Sequence, residues 1–143
     1  MEGTKMANLV DRLLKADAKK ADERITGTFK SHSLARLLGD SEPVEVTIQE
    51  ISGRRQSELL DGTTDADGGV DLPKAYDANL KIIVAGVIDP PLKDKEVQSH
   101  FGCHMAIDLA DKLFKGEVGE LSDAILKLGK VGDVSDDEEE IKN

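Results

Sequence analysis

Three local groupings in this chain carry side chains able to do chemistry. His100, Cys103 and His104 fall within five residues and offer soft and borderline metal ligands. Zinc takes four protein ligands in a structural site or three in a catalytic one, and ligands packed this tightly rarely all converge on one ion. No second cysteine supplies a haem-attachment pattern. The spacing reads better as a helix junction with a half-buried thiol and exposed imidazoles. The acidic, glycine-rich stretch from Asp61 to Gly69 invites a calcium reading, since an EF-hand loop needs oxygen ligands at alternate positions, a glycine and a final bidentate Glu. With Gly68 as the turn glycine, Thr63, Asp65 and Asp67 take the first ligand places, but the closing position falls on Lys74, which cannot ligate. A solvated turn accounts better for it. Cys103 beside His104 makes no nucleophile–base pair, because adjacent side chains on a helix point apart. Arg54-Arg55-Gln56-Ser57 has the form of a basophilic kinase site, a pattern short enough to arise by chance.

No G-x-S-x-G, Walker loop or G-x-G-x-x-G occurs. The expectation is therefore a protein that is not an enzyme, with no catalytic residue, no cofactor and no metal. Composition points the same way. The chain has 143 residues, 38% hydrophobic and 34% charged, with a net charge of −10. That balance disfavours nucleic acid as a partner, because phosphate backbones are bound by Lys and Arg. With no Trp, one Tyr and three Phe, aromatic platforms for bases or sugars are not expected. A lone cysteine fits a reducing compartment. The longest apolar run, Ile82 to Ile88, is far short of a bilayer span, so neither a membrane partner nor a membrane location is expected. The expected location is the cytoplasm.

The elements that would position these groups follow from periodicity. Met6 to Ala21 reads as an amphipathic helix, with Leu9, Val10, Leu13, Leu14 and Ala18 on one face and Lys15, Lys19 and Lys20 on the other. Residues 24–30 and 43–51 alternate as strands of a small antiparallel sheet that helices must cover, two strands alone being marginal. Ser52 is a suitable N-cap for a helix to Leu60. Pro73, with Asp71 just before it, opens the most apolar helix, which carries Leu80, Ile83, Val84, Val87 and Ile88 and stops at Pro90-Pro91. The last third is helical: Val97 and Phe101 with Asp94 as a cap, then Met105, Leu109 and Leu113, then Val118, Leu121, Ile125 and Leu128. The fold class expected is α+β, divided into an N-terminal amphipathic helix (1–22), an α+β domain (23–131) and an acidic, disordered tail (132–143).

The order of these pieces resembles the XkdN-like family of phage and prophage tail assembly chaperones. The pieces that carry the resemblance are Arg24-Ile25 to Phe29-Lys30, Pro43 to Ile51 with Gly53 and Arg54-Arg55, the acidic Gly-rich turn with Asp71-Leu72, Lys81 to Pro90 and Leu92-Lys93-Asp94. They continue through Leu113-Phe114, Gly116-Glu117-Val118 and Leu121-Ser122 to the end at Glu139 to Asn143. The resemblance implies a chaperone that coats the long, aggregation-prone tape-measure protein before tail tube subunits polymerise around it. It further implies contact with a tail tube protein, absence from the mature virion and, in many phages, a frameshifted longer form.

Such a chaperone needs exposed apolar anchors. Two stripes qualify: Leu9, Leu13 and Leu14 near the N-terminus, and Val118, Leu121, Ile125 and Leu128 near the C-terminus. For each, burial in the protein's own core is the ordinary alternative, because a domain this size needs most of its apolar faces. Self-association is a further expectation. The rival reading is an acidic regulatory module, of the antitoxin or anti-repressor kind, that occupies a basic site on another protein. It predicts strongly salt-dependent binding.

Overall fold

The computed structural model describes residues 9–64 and 66–130. The start of the expected first helix, before Leu9, and the expected acidic tail lie outside the described residues. The first helix, α1 (Leu9–Lys15), is shorter than its periodicity predicts, and a 3-10 turn over Ala18–Asp22 follows it. The break has a local cause. Asp17 adopts an extended backbone, and its side chain accepts a hydrogen bond from the Lys19 N–H, so it caps a new turn and does not continue the old one.

Strand β1 (Thr26–Ser31) pairs antiparallel with β2 (Val44–Gln49), placing Thr28 opposite Thr47 and Phe29 opposite Val46. Between them lies α2 (His32–Leu38), ended by Gly39 in the left-handed region at φ 78°. Along β2 the alternation is as expected: Val46 and Ile48 are buried, while Glu45 is exposed and Thr47 and Gln49 are half-buried. Helix α3 (Gly53–Leu60) starts at Ser52, whose Oγ accepts from the Arg55 N–H at 3.1 Å. The acidic loop closes as a small bridge between Thr64 and Val70, and Asp71 N–H donates to the Thr63 carbonyl.

Helix α4 (Leu72–Gly86) is capped by Asp71, with Pro73 in its first turn. The helical pattern extends through Val87 and Ile88, but the helix stops at Gly86. Val87–Asp89 forms a third strand, β3, antiparallel to β2, with Val87 opposite Ile48. Two forces explain this correction. Asp89 precedes Pro90, which disfavours helical backbone there. The outer edge of β2 also offers unpaired backbone groups that the β-branched Val87 and Ile88 can meet. The sheet order is β1-β2-β3 with β2 in the centre. The Asp89–Pro90 peptide bond is cis.

Three more helices complete the described chain: α5 (Lys95–His100), capped by Asp94, α6 (Ala106–Phe114) and α7 (Val118–Leu128). Helix α7 packs on α4 and lies against β1 and β2. Phe114, Ile48, Ile82, Ile83, Leu109, Leu121 and Ile125 are the largest fully buried side chains. The α+β class with an antiparallel sheet and a helical C-terminal half is thus the observed one. No helix among the described residues is long and apolar enough to cross a membrane.

Candidate interaction surface

The chemistry-bearing groups take structural positions. Cys103 follows Gly102, which sits at φ 73°, and its side chain is buried, with Sγ 3.8 Å from the Phe101 carbonyl. His100 and His104 are exposed, and His100 stacks edge-on against Phe101 at 5.0 Å. The thiol and the imidazoles therefore face different environments. Lys74, at the closing position of the acidic loop, has Nζ 4.0 Å from Asp71 Oδ2. Among the described residues, no group of three or more His, Cys, Asp and Glu is gathered to hold a metal.

The two apolar stripes have opposite fates. Val118, Leu121 and Ile125 are fully buried in the core. Leu128 is half-buried and packs over Gly27, where an added Cβ would lie 3.0 Å from Leu128 Cδ2. This corrects the expectation that the C-terminal stripe is free to anchor a partner. The sheet has one apolar face, and α7 is a helix that covers it. On α1 the reverse holds. Leu9, Val10, Leu13 and Leu14 are 64%, 68%, 65% and 78% exposed, and neither α1 nor the 3-10 turn contains a buried residue. At helical spacing these four share one face, with Asp11, Arg12 and Lys15 on the other. Val10, which periodicity places on the same face, belongs with the three leucines in this surface.

A second apolar surface lies along α4. Leu72 and Tyr76, one turn apart, line an open groove with Pro73, Ala75, Asp77 and Asn79. Sequence reasoning singled out neither as a surface residue; their i, i+4 spacing is the feature that points to it. Tyr76 Oη donates to Asp111 Oδ1 of α6 at 2.5 Å. That hydrogen bond raises the phenol's pKa from 10.0 to about 12, with desolvation and the nearby carboxylate charge adding to it.

Comparison with known proteins agrees with this architecture. A crystal structure of the protein yqbn shares the fold, with a TM-score of 0.50 and 17% identity over 73% of this chain and 86% of that one. No curated protein matches the chain by sequence. The family model described as the phage XkdN-like tail assembly chaperone protein matches residues 10–142. That span takes in every strand and nearly all of α1, and on it the chain belongs to the XkdN-like family of phage tail assembly chaperones.

Proposed function

We propose that this chaperone binds the tape-measure protein through the apolar face of α1 and keeps it soluble until tail tube subunits enclose it. It acts stoichiometrically in the host cytoplasm and is absent from the finished particle. The observation that supports this reading is the exposure of Leu9, Val10, Leu13 and Leu14 on a helix with no buried residue. A soluble protein does not ordinarily leave four large apolar side chains of one helix face in water, and such a surface marks a docking site. Removing each from water is worth roughly 1.5–3 kcal/mol, before the entropic cost of association is met. A long helical client offers the complementary stripe, in the helix-in-groove or helix-on-helix manner. The chain's net charge of −10 opposes aggregation of a protein that carries such a surface.

The test is co-expression of the full chain with the tape-measure protein, followed by co-purification. The wild type should hold the client in the soluble fraction. A Leu13→Glu/Leu14→Glu variant should lose it while keeping its own fold. Undiminished capture by that folded variant would remove α1 from the interface.

A further inference from the structure

We propose that Asp17 is the stop that ends the client-binding face of α1 and turns the rest of the N-terminal arm away from the client; the inference rests on the function proposed above. Intrinsic propensity does not end the helix. Between Asp11 and Arg24 there is no glycine, proline or β-branched residue, and Ala16, Ala18, Lys19, Lys20 and Ala21 are strong helix formers. Packing does not impose the break either. Every residue from Leu9 to Thr26 is exposed, and the arm is tied to the end of β2 only at Ile25, whose N–H donates to Glu50 Oε2 and whose carbonyl accepts from the Glu50 N–H.

The cause that remains is Asp17 itself. Its Oδ1 accepts from the Lys19 N–H at 3.0 Å and its carbonyl from the Lys20 N–H at 2.9 Å, on an extended backbone at φ −73° and ψ 116°. A short carboxylate that bonds its own backbone neighbours competes with the helix and here starts a new turn. The position of the break gives it a use. On a continuous helix residue 17 would lie one turn beyond Leu13 and Leu14, in the middle of the apolar face. A carboxylate there would be carried into the contact and lose its water. Ending the helix at Lys15 keeps Asp17 on its cap, exposed and outside the contact. The face is left with Leu9, Val10, Leu13 and Leu14 on a helix of seven residues, about 10 Å long. One copy then grips about two turns of a helical client.

NMR on the isotope-labelled full chain tests the stop without the client. A nuclear Overhauser contact from the Leu14 Hα to the Ala18 amide proton forms only if the helix runs through residue 17. It should be absent from the wild type and from Asp17→Asn, which keeps a capping oxygen, and present in Asp17→Ala, which does not. Its presence in the wild type or in Asp17→Asn, or its absence from Asp17→Ala, would overturn the stop. Client capture then measures where the face ends. Ala21→Glu, one turn beyond residue 17, should capture the tape-measure protein as the wild type does, while Leu14→Glu loses it. Equal loss in both variants would overturn the inference, because the face would then run past Asp17. The two ideas fail separately. A wild type that captures the client but shows the contact across residue 17 removes the stop and leaves the proposed function standing. The expected contacts with no client capture remove the proposed function and leave Asp17 as the end of α1.

Discussion

Gly86, the last residue of α4, lies so close to Ile125 of α7 that a Cβ added to it would sit 2.6 Å from Ile125 Cγ2 and 2.8 Å from Cδ1. Both residues are buried, and among the described residues α4 and α7 form the most extensive helix pair. The absence of a side chain at 86 lets the second helix seat its isoleucine on the backbone of the first. From that seat α7 reaches the sheet, where Leu128 covers Gly27.

Gly86→Ala should therefore destabilise the fold by about 1–3 kcal/mol through overpacking, which outweighs the smaller gain in helix propensity at a helix end. Ile125→Ala alone should cost about 2–5 kcal/mol through the cavity it leaves. Made together, they should cost less than their sum, because the new methyl group enters the space that Ile125 vacates. Urea denaturation of the four proteins in the cycle measures this, and strict additivity would mean the two side chains do not compete for space.

A second long-range contact fixes the start of α2. Glu117, in the 3-10 turn before α7, accepts from Ser31 Oγ at 2.6 Å and from the His32 N–H at 2.7 Å. Ser31 Oγ in turn accepts from the Leu34 N–H, so one serine caps the helix and ties it to a carboxylate 86 residues away. Ser31→Ala should cost about 1–2 kcal/mol as a lost cap. Glu117→Ala leaves the buried hydroxyl and an N–H without this partner, and should cost about 1–3 kcal/mol. In a double-mutant cycle the two should couple, since each removes the other's partner.

These contacts show where sequence reasoning reached and where it stopped. Caps were legible: Ser52, Asp71 and Asp94 each use a side-chain oxygen on an N–H two or three residues away, chemistry contained within a few residues. The strand β3 was not, because Val87 and Ile88 fit the helical spacing of α4 and become a strand only when the edge of β2, some forty residues earlier, is there to pair with them. The stripes on α1 and α7 have similar spacing and opposite exposure. Periodicity identifies an apolar face without saying what covers it, and here the sheet covers one and leaves the other.

Tyr76 offers a spectroscopic handle, being the single tyrosine in a chain without tryptophan. Its hydroxyl bonds to Asp111, and its pKa is pushed up to about 12 from 10.0. Tyrosinate absorbance should therefore rise near pH 12, and in Asp111→Asn the midpoint should fall back toward 10. A folded-state pKa above the unfolded value favours the protonated form in the fold. The resulting stabilisation is complete below pH 10 and is lost as pH rises from 10 toward 12. Because the ring is substantially exposed, solvent screening keeps this contribution small, and the titration midpoint is the more sensitive measure. A wild-type midpoint at 10 would show that the Asp111 contact does not hold in solution.

The contrast between α1 and α7 gives the sharpest separation of folding from binding. Leu14 is 78% exposed, so Leu14→Glu should shift stability by no more than about 0.5 kcal/mol. Ile125 is fully buried against α4 and the core, so Ile125→Asp places a carboxylate where no partner can solvate it. The burial penalty, several kcal/mol on top of the lost packing, is comparable with the whole stability of a small domain, about 5–15 kcal/mol. The aspartate variant should lose its cooperative thermal transition, and any loss of client binding it shows would then report unfolding. Leu14→Glu should keep the wild-type transition and still fail to co-purify the tape-measure protein. If Leu14→Glu captures the client as well as the wild type does, and Leu9→Glu and Leu13→Glu do the same, the exposed face of α1 has no part in the chaperone's grip, and the partner must be held elsewhere on the surface.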